Sequence, residues 1–159
     1  GPKSASADSF SGRAAVICDK EDSAPDALKT VEKIAEYLEM NLLYMSAEDH
    51  DIHTAYISHI SHITSYALAN TVLEKEREED TIFQLASSGF SSTVRLAKSH
   101  PEMWVPIFKQ NKENVLDVLN EHITQLRKFK SALEKENYDL LEELILNANR
   151  IRPILENKS

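Results

Sequence analysis

The stretch from His50 to Asn70, HDIHTAYISHISHITSYALAN, constrains the fold more than any other. It sets four histidines, interleaved hydroxyl residues and an apolar stripe into about six helical turns. Just before it, Ser46-Ala47-Glu48-Asp49 has the form of a capping box, with Ser46 at the N-cap and Asp49 reaching back. The pattern predicts one long helix over roughly residues 47–74. The histidines in it either do chemistry or are packed and hydrogen-bonded parts of a helix, and their titration range near neutral pH makes the question worth pursuing.

The segments before this helix read differently. Residues 1–12, GPKSASADSFSG, are small and polar and read as a flexible N-terminal segment, with Gly1-Pro2 either a protease-processing scar or native. Arg13–Asp19, RAAVICD, reads as a short buried strand, and Asn41–Met45, NLLYM, as a second. Between them, Ser23-Ala24-Pro25-Asp26 resembles a helix start with an early proline, followed by Leu28, Val31, Ile34, Ala35 and Leu38 at helical spacing. A β-α-β fragment of this size is too small to be a domain. It reads as the tail of a larger α/β unit.

Downstream the chain reads as all-α. Thr81–Ala86 starts an element that Ser87-Ser88-Gly89 breaks, and Phe90–Ser99 reads as helix again. Ser99-His100-Pro101-Glu102 caps a further helix, and Pro106 predicts a break or kink there. From Ile107 to about Lys135 the apolar stripe Phe108, Val115, Leu119, Ile123, Leu126, Phe129 and Leu133 predicts a long amphipathic helix. Asn137 caps a last helix burying Leu140, Leu141, Leu144, Ile145 and Ile151, with Pro153 ending it. The expected fold is therefore mainly α: a helical domain of five to six helices over residues 46–159, preceded by a short β-α-β remnant over 13–45.

Composition removes several function classes. The formal net charge is −8 and the pI about 5.2, with no Lys/Arg block, so nucleic acid and membrane surfaces are excluded as expected partners. Cys18 is the single cysteine, so no intrachain disulfide can form, which fits a reducing, cytoplasmic setting. No apolar run approaches the roughly 18 residues of a membrane span.

The histidine geometry argues against a metal. With about 100° per residue, His50 and His53 lie on one side of an ideal helix and His59 and His62 on roughly the other. One helix cannot gather all four about an ion, no Glu-x-x-His pair occurs, and no Cys/His cluster has zinc spacing. Arg95 is a second candidate. At three and four positions from it stand Ser91, Ser92, Lys98 and Ser99, so no carboxylate of its own helix pairs with it. It is either a surface residue or one held for a ligand carboxylate, where the guanidinium fork gives two parallel bonds. Trp104 is either a core anchor or a ligand platform.

Two motifs carry a family resemblance. His50-Asp51, then Ser58-His59-Ile60-Ser61-His62 and Ala67-Leu68, resemble the HD…SHLPH…AL signature of prephenate dehydrogenases. Gly89–Trp104, GFSSTVRLAKSHPEMW, resembles that family's GGFRDxTRIAxSDPEMW. The resemblance implies an NAD- or NADP-binding Rossmann domain upstream, carrying the catalytic histidine, followed by a helical domain that forms a homodimer and completes the substrate site. No G-x-G-x-x-G is present, so the chain reads as the C-terminal part of such an enzyme, with no cofactor expected on this part. The complete enzyme would oxidise and decarboxylate prephenate, a dicarboxylate, to 4-hydroxyphenylpyruvate in tyrosine biosynthesis. On the matched positions, Arg95 would hold a substrate carboxylate, His62 would line the pocket with Trp104 close to it, and His59 and Ser58 would orient His62. Ser61 stands where the family has proline, Ser91-Ser92 where it has Arg-Asp, and His100 where it has aspartate. These departures leave arogenate dehydrogenase as an alternative substrate reading, and a non-catalytic helical interaction or regulatory module as an alternative of another class.

Overall fold

In the N-terminal part, β1 (Ala14–Cys18) and β2 (Asn41–Met45) pair in parallel, from Ala14 opposite Asn41 to Cys18 opposite Met45. Parallel neighbours need a crossover, and α1 (Pro25–Tyr37) supplies it. The expected β-α-β fragment is therefore present. Its helix starts differently from expectation: the N-cap is Ala24 without a side-chain bond, and Pro25 occupies the first turn, where its missing N–H costs nothing. At the other end Glu39 takes a left-handed conformation, φ 55°. The Glu39 and Met40 N–H groups donate back to the Glu36 and Ala35 carbonyls at 3.0 and 2.9 Å, a Schellman ending.

This computed structural model describes residue 6, residues 8–77 and residues 81–156. The expectations for Gly1-Pro2 and for the end of the charged run at 78–80 lie outside the described residues. The described chain divides into two units at Ile57/Ser58.

The Ser46 half of the predicted capping box holds, and the Asp49 carboxylate meets the Ser46 hydroxyl in place of the Ser46 N–H. Ser46 Oγ accepts from the Asp49 N–H at 3.0 Å and donates to Asp49 Oδ2 at 2.8 Å, opening α2 (Ala47–Thr54). The predicted single helix does not hold as drawn. Residues Ala55–His59 form a π-helical turn, and α3 (Ile60–Glu76) continues beyond it. Such turns insert one residue into the helical ladder, and they recur at functional sites.

In the C-terminal part, a 3-10 turn at Ile82–Leu85 precedes α4 (Ser88–Thr93) and a separate 3-10 turn at Arg95–Lys98. The helix expected over Phe90–Ser99 is thus two pieces. The Ser92 and Thr93 hydroxyls both donate back to the Gly89 carbonyl at 2.9 Å, a local bonding mode that competes with the helical ladder. Then α5 (Pro101–Gln110) runs through Pro106 without stopping, and the break comes at Asn111 before α6 (Lys112–Glu134). Pro106 removes a single intrahelical bond in the interior of α5, which the helix tolerates. Asn111 is instead drawn out of helical geometry, φ −104° and ψ 32°, with its side chain buried.

Asn137 does cap α7 (Tyr138–Asn149), accepting from the Leu140 N–H at 3.0 Å. Pro153 does not end that helix, which stops at Asn149; the proline lies in the first turn of α8 (Arg152–Glu156), where proline is accommodated. The apolar face of α7 is also less buried than expected. Leu141 and Leu144 are half-buried, whereas Leu140, Ile145 and Ile151 are exposed in the single chain. The buried centre of this part lies where α3, α5 and α6 meet, with Trp104, Val115 and Val118 accompanied by the polar His59, His62, Ser65 and Asn111.

Candidate functional site

Helical spacing assembles the site. Trp104 and Phe108 on α5 are four positions apart and share one face, and Asn111 follows three positions on at the helix's C-cap. Facing them, His59 ends the π turn and His62 and Tyr66 follow on α3. The His62 imidazole lies stacked on the Trp104 indole, ring centroids 3.4 Å apart and planes 26° from parallel. His59 meets the same tryptophan and Phe108 edge-on, at 6.0 and 6.3 Å. Trp104 and Phe108 lie 5.5 Å apart. His59, His62 and Trp104 are each less than a tenth exposed.

Hydrogen bonds fix the two rings. His62 Nδ1 lies 3.0 Å from the Ser58 carbonyl. A carbonyl only accepts, so Nδ1 carries the proton and Nε2 is left as the basic nitrogen of the neutral ring. Ser58 therefore reaches His62 through its backbone. His59 Nδ1 lies 3.3 Å from Asn111 Nδ2, and Asn111 Oδ1 accepts from Asn114 Nδ2 at 2.8 Å.

Arg95 is not in this buried group. It is exposed, on the 3-10 turn, and makes no hydrogen bond or ion pair among the described residues. The turn that carries it is nevertheless fastened to α3. Ser65 Oγ, on a residue 1% exposed, accepts from the Ala97 N–H at 3.0 Å, and Tyr66 OH donates to the Ser99 carbonyl at 3.5 Å. The structure thus brings together His59, His62, Trp104 and Ser58, and sets Arg95 on a neighbouring turn held by the same helix. Sequence reasoning missed Asn111, Ser65, Tyr66 and Phe108. The spacing of Trp104, Phe108 and Asn111 was the available signal for two of them.

His50 and His53 lie in the other unit. His50 Nδ1 is 3.0 Å from Asp51 Oδ1, and His53 is exposed. Among the described residues no group of three or more His, Cys, Asp or Glu side chains is placed to hold a metal ion. A dinucleotide does not fit the N-terminal part either. The loop after β1 is Asp19-Lys20-Glu21-Asp22, without glycine and with three carboxylates. The α2 N-terminus, where a phosphate would bind, is already occupied by the Asp19 carboxylate, which accepts from the Ala47 N–H at 3.2 Å.

Residues 46–147 match the sequence profile of the family described as prephenate dehydrogenase, dimerization domain. The chain belongs to this family. It is 30% identical over 115 residues to the prephenate dehydrogenase of Bacillus subtilis strain 168, covering 72% of this chain and 31% of that protein. It is 27% identical over 157 residues to the cyclohexadienyl dehydrogenase of Zymomonas mobilis, covering 98% of this chain and 54% of that one. The chain therefore spans between a third and about half the length of these relatives. Among solved structures, the prephenate dehydrogenase of Aquifex aeolicus in complex with hydroxyphenyl propionate and NAD+ superposes with a TM-score of 0.78 at 28% identity, over 94% of this chain and 51% of that one. A Synechocystis arogenate dehydrogenase shares the fold, with a TM-score of 0.75 at 23% identity, over 93% of this chain and 54% of that one. Among the described residues no helix is long and apolar enough to cross a membrane.

Proposed function

We propose that this chain is the C-terminal, dimerising and substrate-binding part of a cytoplasmic NAD- or NADP-dependent prephenate dehydrogenase, which converts prephenate to 4-hydroxyphenylpyruvate. The single observation that carries the reading is the family match over residues 46–147, which contains the buried His59–His62–Trp104 group and the fastened Arg95 turn. In this reading 13–45 is the β-α-β tail of the nucleotide-binding domain, and 46–159 the helical domain. The hydride acceptor and the catalytic histidine belong to the upstream domain, so this part turns nothing over by itself.

The roles follow from chemistry. Arg95 is a cation whose side chain has no competing partner among the described residues, suited to one carboxylate of a dianionic substrate. The flat His62–Trp104 stack offers a rigid wall for a six-membered ring, with His62 Nε2 as a polar contact. Ser58 acts by setting His62's proton position through its carbonyl, and His59 braces Trp104 from the edge. Exposed apolar residues on α6, α7 and α8, including Leu126, Leu133, Leu146, Ile154 and Leu155, support a homodimer through the helical domain.

The test is Arg95→Ala in the complete enzyme, assayed with prephenate and with arogenate. Loss of a charge-assisted bond is worth about 1.5–3 kcal/mol, or roughly 10- to 150-fold in kcat/KM. Unchanged kcat/KM on both substrates would remove Arg95 from the site, and a larger effect on arogenate would move the assignment to that substrate.

A further inference from the structure

We infer that Asn111 is a positioning residue that dictates where His59 carries its proton, holding it at Nε2 while the neighbouring His62 holds its own at Nδ1. This deepens the substrate-site reading above and rests on it only for its effect on turnover.

The argument starts from the break between α5 and α6. A buried asparagine at a helix junction is costly unless both ends of its amide are engaged. Asn111 is 8% exposed, and Asn114 Nδ2 donates to its Oδ1 at 2.8 Å. That contact orients the Asn111 amide and turns Nδ2, which can only donate, toward His59 Nδ1 at 3.3 Å. A nitrogen facing an N–H group must offer a lone pair, so His59 Nδ1 is unprotonated and the proton sits on Nε2. Turning the His59 ring over would place a carbon against the amide and lose the bond. The edge-on contacts with Trp104 and Phe108, at 80° and 79°, fix the ring plane.

His62, three residues on, faces a carbonyl instead and has the opposite arrangement. Two histidines on one face of α3, both against Trp104, are thus held in opposite tautomers by different devices: one by a backbone carbonyl of its own helix, the other by an amide from the α5–α6 junction. The order of that chain runs Asn114 to Asn111 to His59, which makes Asn114 a second control point.

The experiment is two-dimensional 15N–1H long-range NMR of the histidine side chains in this chain, with His59 assigned by His59→Gln. The wild type is expected to show His59 as the Nε2–H form and His62 as the Nδ1–H form. In Asn111→Asp the carboxylate accepts where the amide donated, so His59 should acquire a proton at Nδ1 while His62 keeps its pattern. Asn114→Ala, a milder change on a half-buried residue, should release the Asn111 amide and leave His59 as a mixture of tautomers. An Nδ1–H form of His59 in the wild type would overturn the inference, as would a His59 pattern unmoved in both variants. The same Asn111→Asp change in the complete enzyme is expected to lower kcat/KM about tenfold. A tautomer switch without that loss would uphold the control of His59 by Asn111 and count against His59 as part of the substrate site, which separates the two failures.

Discussion

Ser65→Ala tests how firmly the Arg95 turn is held. Ser65 is 1% exposed, and its Oγ accepts from the Ala97 N–H at 3.0 Å. The same N–H also lies 3.0 Å from the Val94 carbonyl within the 3-10 turn. Deleting the hydroxyl therefore leaves the donor with one acceptor rather than none, so the full penalty of an unsatisfied buried group, about 1–3 kcal/mol, does not apply. What is lost is the net worth of one hydrogen bond, about 1 kcal/mol, and the packing of one buried atom, for a total of about 1–1.5 kcal/mol. Urea denaturation should show a lower midpoint with an unchanged slope. The Arg95 turn should loosen as well, raising KM for the substrate in the complete enzyme more than it changes kcat. A stability change under about 0.3 kcal/mol would show that the Val94 bond suffices. A large fall in kcat with KM intact would show that Ser65 does not act through Arg95.

Three further outcomes are expected. Glu136 ends α6 in a left-handed conformation, φ 51°, with its own N–H and that of Asn137 donating back to the Leu133 and Ala132 carbonyls; Glu136→Gly should raise stability by about 0.5–1 kcal/mol, and a loss on chemical denaturation would contradict the strain argument. The Glu32 carboxylate, accepting from Tyr44 OH at 2.7 Å, holds the Tyr44 phenol above its ordinary value near 10, with burial adding to it. The folded state keeps that proton longer, so the stabilisation is complete below the unfolded value and fades as pH rises through the folded one. The phenolate absorbance difference between the protein and Tyr44→Phe should titrate at lower pH in Glu32→Gln, and an unmoved midpoint would dismiss the bond. Leu146 and Ile154 are 59% and 53% exposed in the single chain. Sedimentation at micromolar concentration should find a dimer that the double change Leu146→Asp, Ile154→Asp weakens at least about 100-fold, and a monomeric wild type would refute the interface.

The elements legible in the sequence were those marked by side chains with one local meaning. Ser46 and Asn137 are N-caps whose oxygens meet N–H groups three residues on, and both bonds formed as read. The strands Ala14–Cys18 and Asn41–Met45 stood out as short apolar runs, the first with the β-branched Val16 and Ile17. What misled were signals that depend on context. Proline reads as a break or kink at Pro106, yet one missing bond did not end α5; the break came at Asn111, whose side chain is engaged in the interior. Two helices end at Glu39 and Glu136 in a conformation that usually asks for glycine, so neither ending carried its usual mark. Leu140, Ile145 and Ile151 read as buried because periodicity reports amphipathicity, not which molecule covers the face.

The site divided along a similar line. The motif residues His59 and His62 share a face because they stand three positions apart, a periodicity visible in a linear sequence, and Trp104 meets them from α5. Ser58 and Asn111 act on the two histidines by different routes, one through a main-chain carbonyl that every residue possesses and one across 52 positions of sequence. Neither leaves a local trace. The π turn ending at His59 belongs to the same class, since it is a choice of backbone ladder that no side chain in Ala55–His59 announces. Residue identity therefore told which groups could do chemistry, while the protonation of those groups, on which the chemistry depends, is set by a main-chain carbonyl and by an amide outside the motifs. Substitutions at Asn111 or Asn114 should accordingly alter the histidines without touching either signature.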